Sequence, residues 1–349
     1  MHYMGIDHHK QYSHITVLDE RGEVIKAEKV GNTSKEVNVF LNGLDGKIEG
    51  VIEAGYSHYT MMDLMESVGV RMKIAHPEQV KAIAKAKIKT DKRDSKILAH
   101  LLRSDLIPEV YCRDQENREA QRILRHRVTY VRMQTQVKNR IRALLAKQRE
   151  EVRQIVELEE NLFKVRGIEA LGNLELPGRD QQMLGSYLDT LEHLKEKIKL
   201  SDALVREILR RSEEARLIST LPGFKEFFPV LVSVEIADIN RFDSPAKLHS
   251  YAGLVPSTHA SGEKLYHGKL VRQGNKWLRW AAVEAVWPAV RSDFDIRLYY
   301  QRRAKRKGAN SAKVATARRL LTIIYRVLKE KRAYIPYKRE KHTAAFSCI

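Results

Sequence analysis

HYMGIDHHKQYSHITVLDERGEVIKAEKV, residues 2–30, reads as three short strands in succession. His2–Ile6 and Ser13–Leu18 are rich in β-branched and aromatic residues, and a turn at Asp19–Gly22 leads into a third such run, Val24–Val30. Three strands joined by short turns make an antiparallel meander. Outward from it, Asn32-Thr-Ser-Lys opens a helix to about Leu44, with Ser34 expected as its N-cap. Gly50–Glu53 is a short apolar strand, His58–Val68 a helix, and Val70–Ala75 a strand closed by His76-Pro77. Strands followed by helix-strand-helix-strand predict an α/β unit with a mixed sheet and helices packed on it.

From Lys81 onward the pattern turns helical. Ser95–Leu102 is a helix, and Gln115–Arg149 is a long basic amphipathic one with Ile123, Val131, Val137, Ile141 and Leu144 as its expected buried stripe. A break at Gly167–Gly178 separates Glu150–Lys164 from Asp180–Arg211. In the latter, Leu184, Leu188, Leu191 and Ile198 suggest a coiled-coil hairpin or an oligomer seam, against an ordinary helical core. Further on, Leu221-Pro-Gly-Phe is a tight turn before an apolar helix to Ile236, in which Pro229 is awkward. Ala246–Ala252 is a helix, Gly253–Gly274 a glycine-punctuated loop, Asn275–Val290 a helix carrying all three tryptophans, and Lys313–Lys331 a basic helix. The expected organisation is 1–110 as the α/β domain, 111–215 as long helices for oligomerisation and nucleic-acid contact, 216–332 as a mainly α domain, and 333–349 as a loose tail.

The chain has 349 residues with 63 Lys and Arg against 44 Asp and Glu, a formal net charge of +19. Residues 81–149 are net +12 and residues 291–343 net +13, which leaves −6 on the remainder. Solvated helix faces account for one basic helix; two long blocks on a mildly acidic chain point to phosphate contact. The apolar runs fall far short of the roughly 18 residues a membrane span needs. The beginning, Met-His-Tyr-Met-Gly-Ile-Asp, lacks the layout of a signal peptide, and two cysteines make no disulfide framework. The expectation is a cytoplasmic protein whose partner is a nucleic acid.

Four carboxylates stand out. Asp7 follows the first strand, Glu53 ends a later one, and Asp91 and Asp94 share a helix face at i,i+3 spacing. Singly, each suits a turn or a helix cap. Together, beside a +12 block, they match what metal-dependent phosphoryl transfer needs: shared oxygen ligands for hard divalent cations. His8 and His9 have no metal-ligand spacing and are expected to make solvent or backbone contacts. Neither Cys112 nor Cys348 belongs to a metal motif, and no phosphate-binding Walker loop or dinucleotide fingerprint is present.

Tyr3-Met-Gly-Ile-Asp-His-His-Lys10, Ile52-Glu-Ala-Gly55 and Lys89-Thr-Asp-Lys-Arg-Asp-Ser95 resemble the DEDD transposases of the insertion-sequence IS110 family. The second half continues the resemblance in Leu221-Pro-Gly-Phe, Ile236–Phe242, Leu248–Pro256, Ser261-Gly262 and Gly274–Ala281. It spans about residues 2–330. It implies a RuvC-like member of the RNase H fold at the N-terminus, with Asp7, Glu53, Asp91 and Asp94 as catalytic metal ligands for Mg²⁺ or Mn²⁺. It also implies Ser261 as the nucleophile of a C-terminal transposase domain. Residues alone do not single out Ser261, since Ser257 and Thr258 look equally good and a turn serine before glycine is the plain alternative. The implied reaction is DNA recombination through a covalent phosphoserine. The implied partners are donor and target DNA, a structured noncoding guide RNA and further copies of the chain in a tetramer, the acidic domain of one protomer meeting the serine domain of another. Nucleic-acid contact is expected from Lys89, Lys92, Arg93, Arg122, Arg125, Lys138, Arg140, Lys269, Arg272, Lys276 and Arg279. The sequence departs from the family at Ala54-Gly55-Tyr56, and Lys225 stands where a helix-hairpin-helix turn usually has a second glycine, so that turn is expected to serve packing.

Two other readings stay open on the residues. One is a metal-dependent nuclease acting on Holliday-type junctions without serine chemistry. The other is a non-catalytic nucleic-acid-binding protein. The four-acid set speaks against the latter, and the long second half against the former.

Overall fold

The computed structural model describes residues 1–84, 91–150, 152, 162–261, 264–270 and 273–336, with backbone alone for 258–261 and 264–270. It divides into two compact units, Met1–Arg113 and Asp114–Ile349.

In the first unit the order is β1 (His2–His8), β2 (Tyr12–Leu18), β3 (Val24–Gly31), α1 (Ser34–Leu41), β4 (Ile48–Glu53), α2 (His58–Ser67), β5 (Arg71–Ala75), α3 (Pro77–Ile83), α4 (Asp91–Arg103) and β6 (Glu109–Val110). These strands form one mixed sheet in the order β3-β2-β1-β4-β5-β6. β1 runs antiparallel to β2 and parallel to β4, and β5 runs parallel to β4. The meander and the helix-strand alternation predict a mixed sheet with helices, and its order is that of the RNase H-like domain the family resemblance implies.

Side chains alternate across the sheet. Met4 and Ile6 of β1 and Ile52 of β4 face a core with Phe40, Met61 and Met65 from α1 and α2. The opposite face carries Val51 of β4 against Leu98, Leu101 and Leu102 of α4. α1 is capped one residue earlier than expected. Thr33, not Ser34, accepts from the Glu36 amide at 3.3 Å, and the Glu36 carboxylate accepts from the Gly31 amide at 3.0 Å, a reciprocal cap.

The second unit is mainly helical: α5 (Gln115–Leu145), α6 (Val165–Gly172), α7 (Arg179–Arg211), α8 (Glu213–Ser219), α9 (Phe227–Ile236), α10 (Pro245–Tyr251), the hairpin β7 (Pro256–Ser261) and β8 (Lys264–Leu270), α11 (Lys276–Glu284), α12 (Val286–Ser292), α13 (Phe294–Lys307) and α14 (Ala309–Lys329). α5 and α7 pair within the chain. Leu184 and Leu191 meet Ile141, Leu144 and Leu145, while Val205 shares a cluster with Ala120, Leu124 and Val128. Early α5 against late α7 makes them an antiparallel helical hairpin. Along the first half of α5 the buried positions are Leu124 and Val128, while the expected Ile123 and Val131 are half-buried.

Four sequence readings are corrected here. The break at 167–178 holds α6, and the glycine-punctuated stretch holds the β7–β8 hairpin. The tryptophan helix is two helices that part at Ala285, because Pro288 supplies no amide to extend the first one. Pro229 is not awkward: α9 begins at Phe227, so the proline sits in a first turn whose amides have no helical partner. The 221–224 turn does serve packing, since Gly223 has φ +91° and a Cβ there would lie 2.5 Å from the Ala285 carbonyl. The expected helix over 150–164 lies largely outside the described residues.

Candidate active site

The alternation that builds the sheet also aims the acids. Tyr3, Gly5 and Asp7 share one face of β1, and Val51 and Glu53 share the same face of β4; it is the face α4 covers. In the parallel pairing Ile6 lies opposite Ile52, so Asp7 and Glu53 follow at the carboxyl ends of adjacent strands. α4 begins at Asp91 and lies on β1 at Gly5, where an added Cβ would fall 2.0 Å from the Ser95 carbonyl oxygen. A buried hydrogen bond of 2.8 Å between Thr16 and Ser95 pins the helix to β2. The first turn of α4 therefore opens above the ends of β1 and β4, bringing Asp91 to Asp7.

A third ligand atom joins them. His9 Nε2 lies 3.3 Å from Asp7 Oδ2 and 3.1 Å from Asp91 Oδ2. Asp7, His9 and Asp91 offer ligand atoms that all lie within 4.8 Å of one another. His9 Nε2 is shielded from solvent yet lies off the line of a hydrogen bond. Tyr12 supports the group: its hydroxyl donates to Asp91 Oδ2 at 3.4 Å and its ring packs against His9 at 4.9 Å. Sequence reasoning missed both residues and read His9 as making solvent or backbone contacts. The β1–β2 connection turns back on itself after His8, which carries His9 and Tyr12 over the strand ends, and no spacing rule reports such a turn.

The electrostatics are those of crowded like charge. Burial raises the Asp7 carboxyl above its ordinary range, and Asp91 and Asp94 push it further, while His9 opposes them. Burial, chiefly, lowers the His8 pKa from its ordinary value, and His8 bridges Ser13 at 2.9 Å and Ser57 at 3.0 Å. A half-buried carboxylate repelled by two others is a site that a hard divalent cation relieves, and the oxygen donors fit one. Asp94 stands one turn along α4 and acts on Asp7 through its charge, and Glu53 stands beside Asp7 on the neighbouring strand.

Ser261 lies in the second unit, at the end of β7, where its backbone is in register with Lys264 of β8. The described network around the base of that hairpin is well anchored. Glu235, 2% exposed at its side chain, pairs with Arg125 and accepts from Asn275 Nδ2 at 2.6 Å; Asn275 also caps α11, and its backbone amide donates to the Tyr251 carbonyl at 2.7 Å. Of the basic residues singled out, Lys92, Arg93, Arg122, Arg140 and Lys276 are exposed. Arg125 turns inward to Glu235 and stacks on Trp277, Lys138 donates to Gln134 and lies over Phe163, and Arg279 donates to the Ala252 carbonyl. Lys89 and Arg272, and the side chain of Lys269, lie outside the described residues. Among those described, no helix is long and apolar enough to cross a membrane.

Comparison with known proteins agrees with this architecture. A DEDD transposase family model matches residues 4–148, and a model for the IS116/IS110/IS902 transposase family matches residues 215–301. The chain is 25% identical over 340 residues to the transposase of insertion sequence IS1111A from Coxiella burnetii, covering 95% of this chain and 90% of that protein. It is 32% identical over 170 residues to a pilin gene-inverting protein of Moraxella bovis, covering 44% of this chain and 52% of the relative. It is also 32% identical over 124 residues to the transposase of IS1533 from Leptospira borgpetersenii, covering 34% and 36%. With two family models spanning more than half of it, in the order of its two units, the chain belongs to the IS110 family of insertion-sequence transposases.

Proposed function

We propose that this transposase cuts and rejoins DNA with Ser261 as nucleophile, assisted by Mg²⁺ or Mn²⁺ held by Asp7, Glu53, Asp91 and Asp94 and guided by a structured noncoding RNA. The observation that carries the metal half is the meeting of Asp7, His9 and Asp91 at the carboxyl end of the RNase H-like sheet. The bound cation would supply charge neutralisation at phosphorus and the leaving oxygen. The acids hold that charge in place, and α4 fixes their spacing. As the Ser261 Oγ–phosphorus bond forms, the bond from phosphorus to a deoxyribose oxygen breaks. The proton lost by the serine balances the one taken up by the leaving oxygen. The incoming DNA hydroxyl then reverses the exchange, freeing the serine and sealing the new strand.

The serine half, the guide RNA and a tetrameric assembly rest on the motif resemblance of residues 248–281, together with the placement of Ser261 at a hairpin end. The three-part division, with 111–215 serving assembly and 216–332 bearing the serine, belongs to the same proposal. Exposed Lys92, Arg93, Arg122, Arg140 and Lys276 are suited to phosphate contact.

The test uses full-length protein, its guide RNA, Mg²⁺ and end-labelled DNA on a denaturing gel. A protein–DNA adduct that Ser261→Ala abolishes supports the serine mechanism. Cleavage that survives Ser261→Ala without an adduct makes it a metal-only nuclease. Asp7→Asn is expected to abolish cleavage and spare RNA binding; full cleavage by that variant overturns the metal-site assignment.

A further inference from the structure

In the second unit, α5, the turn into α9 and α11 enclose a cleft of about 770 Å³, whose described lining includes none of the four acids. That volume lies within the about 300–1,000 Å³ typical of small-ligand sites. Its wall is a run of aromatic rings. Trp280 meets Phe228 at 5.3 Å and Trp277 and Phe227 at 6.0 Å, and it remains 36% exposed. Trp277 is fixed in place, because the Arg125 guanidinium lies 3.7 Å from its ring centre while being held by the buried Glu235. The rim is cationic. Arg127 is tied to Asp202, and Glu226 lies 3.8 Å from Arg206. Arg132, Lys225 and Lys276 are exposed and have no carboxylate partner among the described residues.

These two properties together select the ligand. Free phosphate has no use for four aromatic rings, and an apolar peptide has none for three unpaired cations. A nucleotide uses both: its base stacks on a ring and its phosphates meet the lysines and arginine. The base must be unstacked, since in a duplex both faces are covered by neighbours. We propose that this cleft binds unpaired nucleotides of a single-stranded segment, with a base on Trp280 and Phe228 and the backbone on Arg132, Lys225 and Lys276. The inference rests on the reading of the chain as a nucleic-acid enzyme, and its test is independent of cleavage and of Ser261.

Two of the three tryptophans line the cleft, so their emission reports its occupancy. Full-length protein in EDTA is titrated with oligo-dT, oligo-U and a blunt duplex, each about 12 units long to suit single-strand sites of about 4–16 nucleotides. Single strands are expected to quench emission and the duplex not to. Trp280→Ala is expected to weaken single-strand binding about tenfold, as loss of one stacked base does, and Trp280→Phe to recover most of it. Lys225→Ala with Lys276→Ala should lower the salt slope for single strands by about 1.4. Whichever of oligo-dT and oligo-U binds more tightly identifies the DNA or the RNA as the source of the segment. Unchanged single-strand affinity in a folded Trp280→Ala protein overturns the proposal, as does an equal loss toward duplex. So does a change in oligomeric state with binding intact, which would make the cleft a seam between copies.

Discussion

A Cβ at position 5 would lie 2.0 Å from the Ser95 carbonyl and 2.5 Å from the Ala99 amide, both backbone atoms of α4. Nothing flexible can give way, so Gly5→Ala must lift the helix that carries Asp91 and Asp94. The expected cost is at least the about 1–3 kcal/mol of an overpacked core. Thermal unfolding and Mn²⁺ calorimetry should register it as a lowered Tm together with weakened binding; an unchanged Tm would show that α4 does not rest on β1. His9 makes a separate case. It touches two of the acids and, among the described residues, stacks on Tyr12 alone, so His9→Ala should weaken Mn²⁺ binding about tenfold, as loss of an orienting partner does, with little change in Tm. Equal affinity in wild type and variant would remove His9 from the site. The positions of Asp7 and Glu53 at neighbouring strand ends were legible in the sequence because each closes a short apolar or β-branched run. His9 was not, because its position depends on how the chain turns after His8.

At the scale of elements, regular pattern was readable and irregular pattern was not. β1 to β5, α5, α7 and α14 announce themselves by alternation or by an apolar stripe. The β7–β8 hairpin does not, because its residues are polar and its glycines read as loop, and pairing between two weak strands is a property of neither alone. α10 and α14 offer a test of how such elements lock together. His249 of α10 is 8% exposed and lies 3.1 Å from Thr322 Oγ1 of α14. Burial, and then the charge of Arg318, holds its pKa below the ordinary histidine value. The folded state therefore prefers neutral His249, and the unfolded chain takes up the proton first as pH falls. Stability from this contact is present above an unfolded pKa of about 6.5 and is lost as pH falls through it. Denaturant midpoints measured across that range should fall less steeply for His249→Gln than for the wild type; parallel curves would show that His249 is not the group responsible.

For the whole molecule, the charge blocks and the structural units do not coincide. The +12 block of residues 81–149 runs through the boundary after Arg113, where Asp114 caps α5 by accepting from the Asn117 amide at 2.7 Å. The division is set instead by cores. Met4, Ile6, Ile15, Val17, Phe40, Ile52, Met61 and Ile74 close one cluster, and Val51, Leu98 and Leu102 a second, entirely within Met1–Arg113. At this size a domain buries roughly two thirds of its unfolded surface, enough for independent stability. All four acids and His9 also fall within it. The fragment Met1–Arg113 should therefore unfold in one cooperative transition by circular dichroism and bind Mn²⁺ with the affinity of the full chain, yet form no covalent adduct with DNA. A fragment that melts without a transition would show that the second unit is needed to complete its core. One that folds but binds Mn²⁺ far more weakly would mean that the metal site draws on residues beyond Arg113.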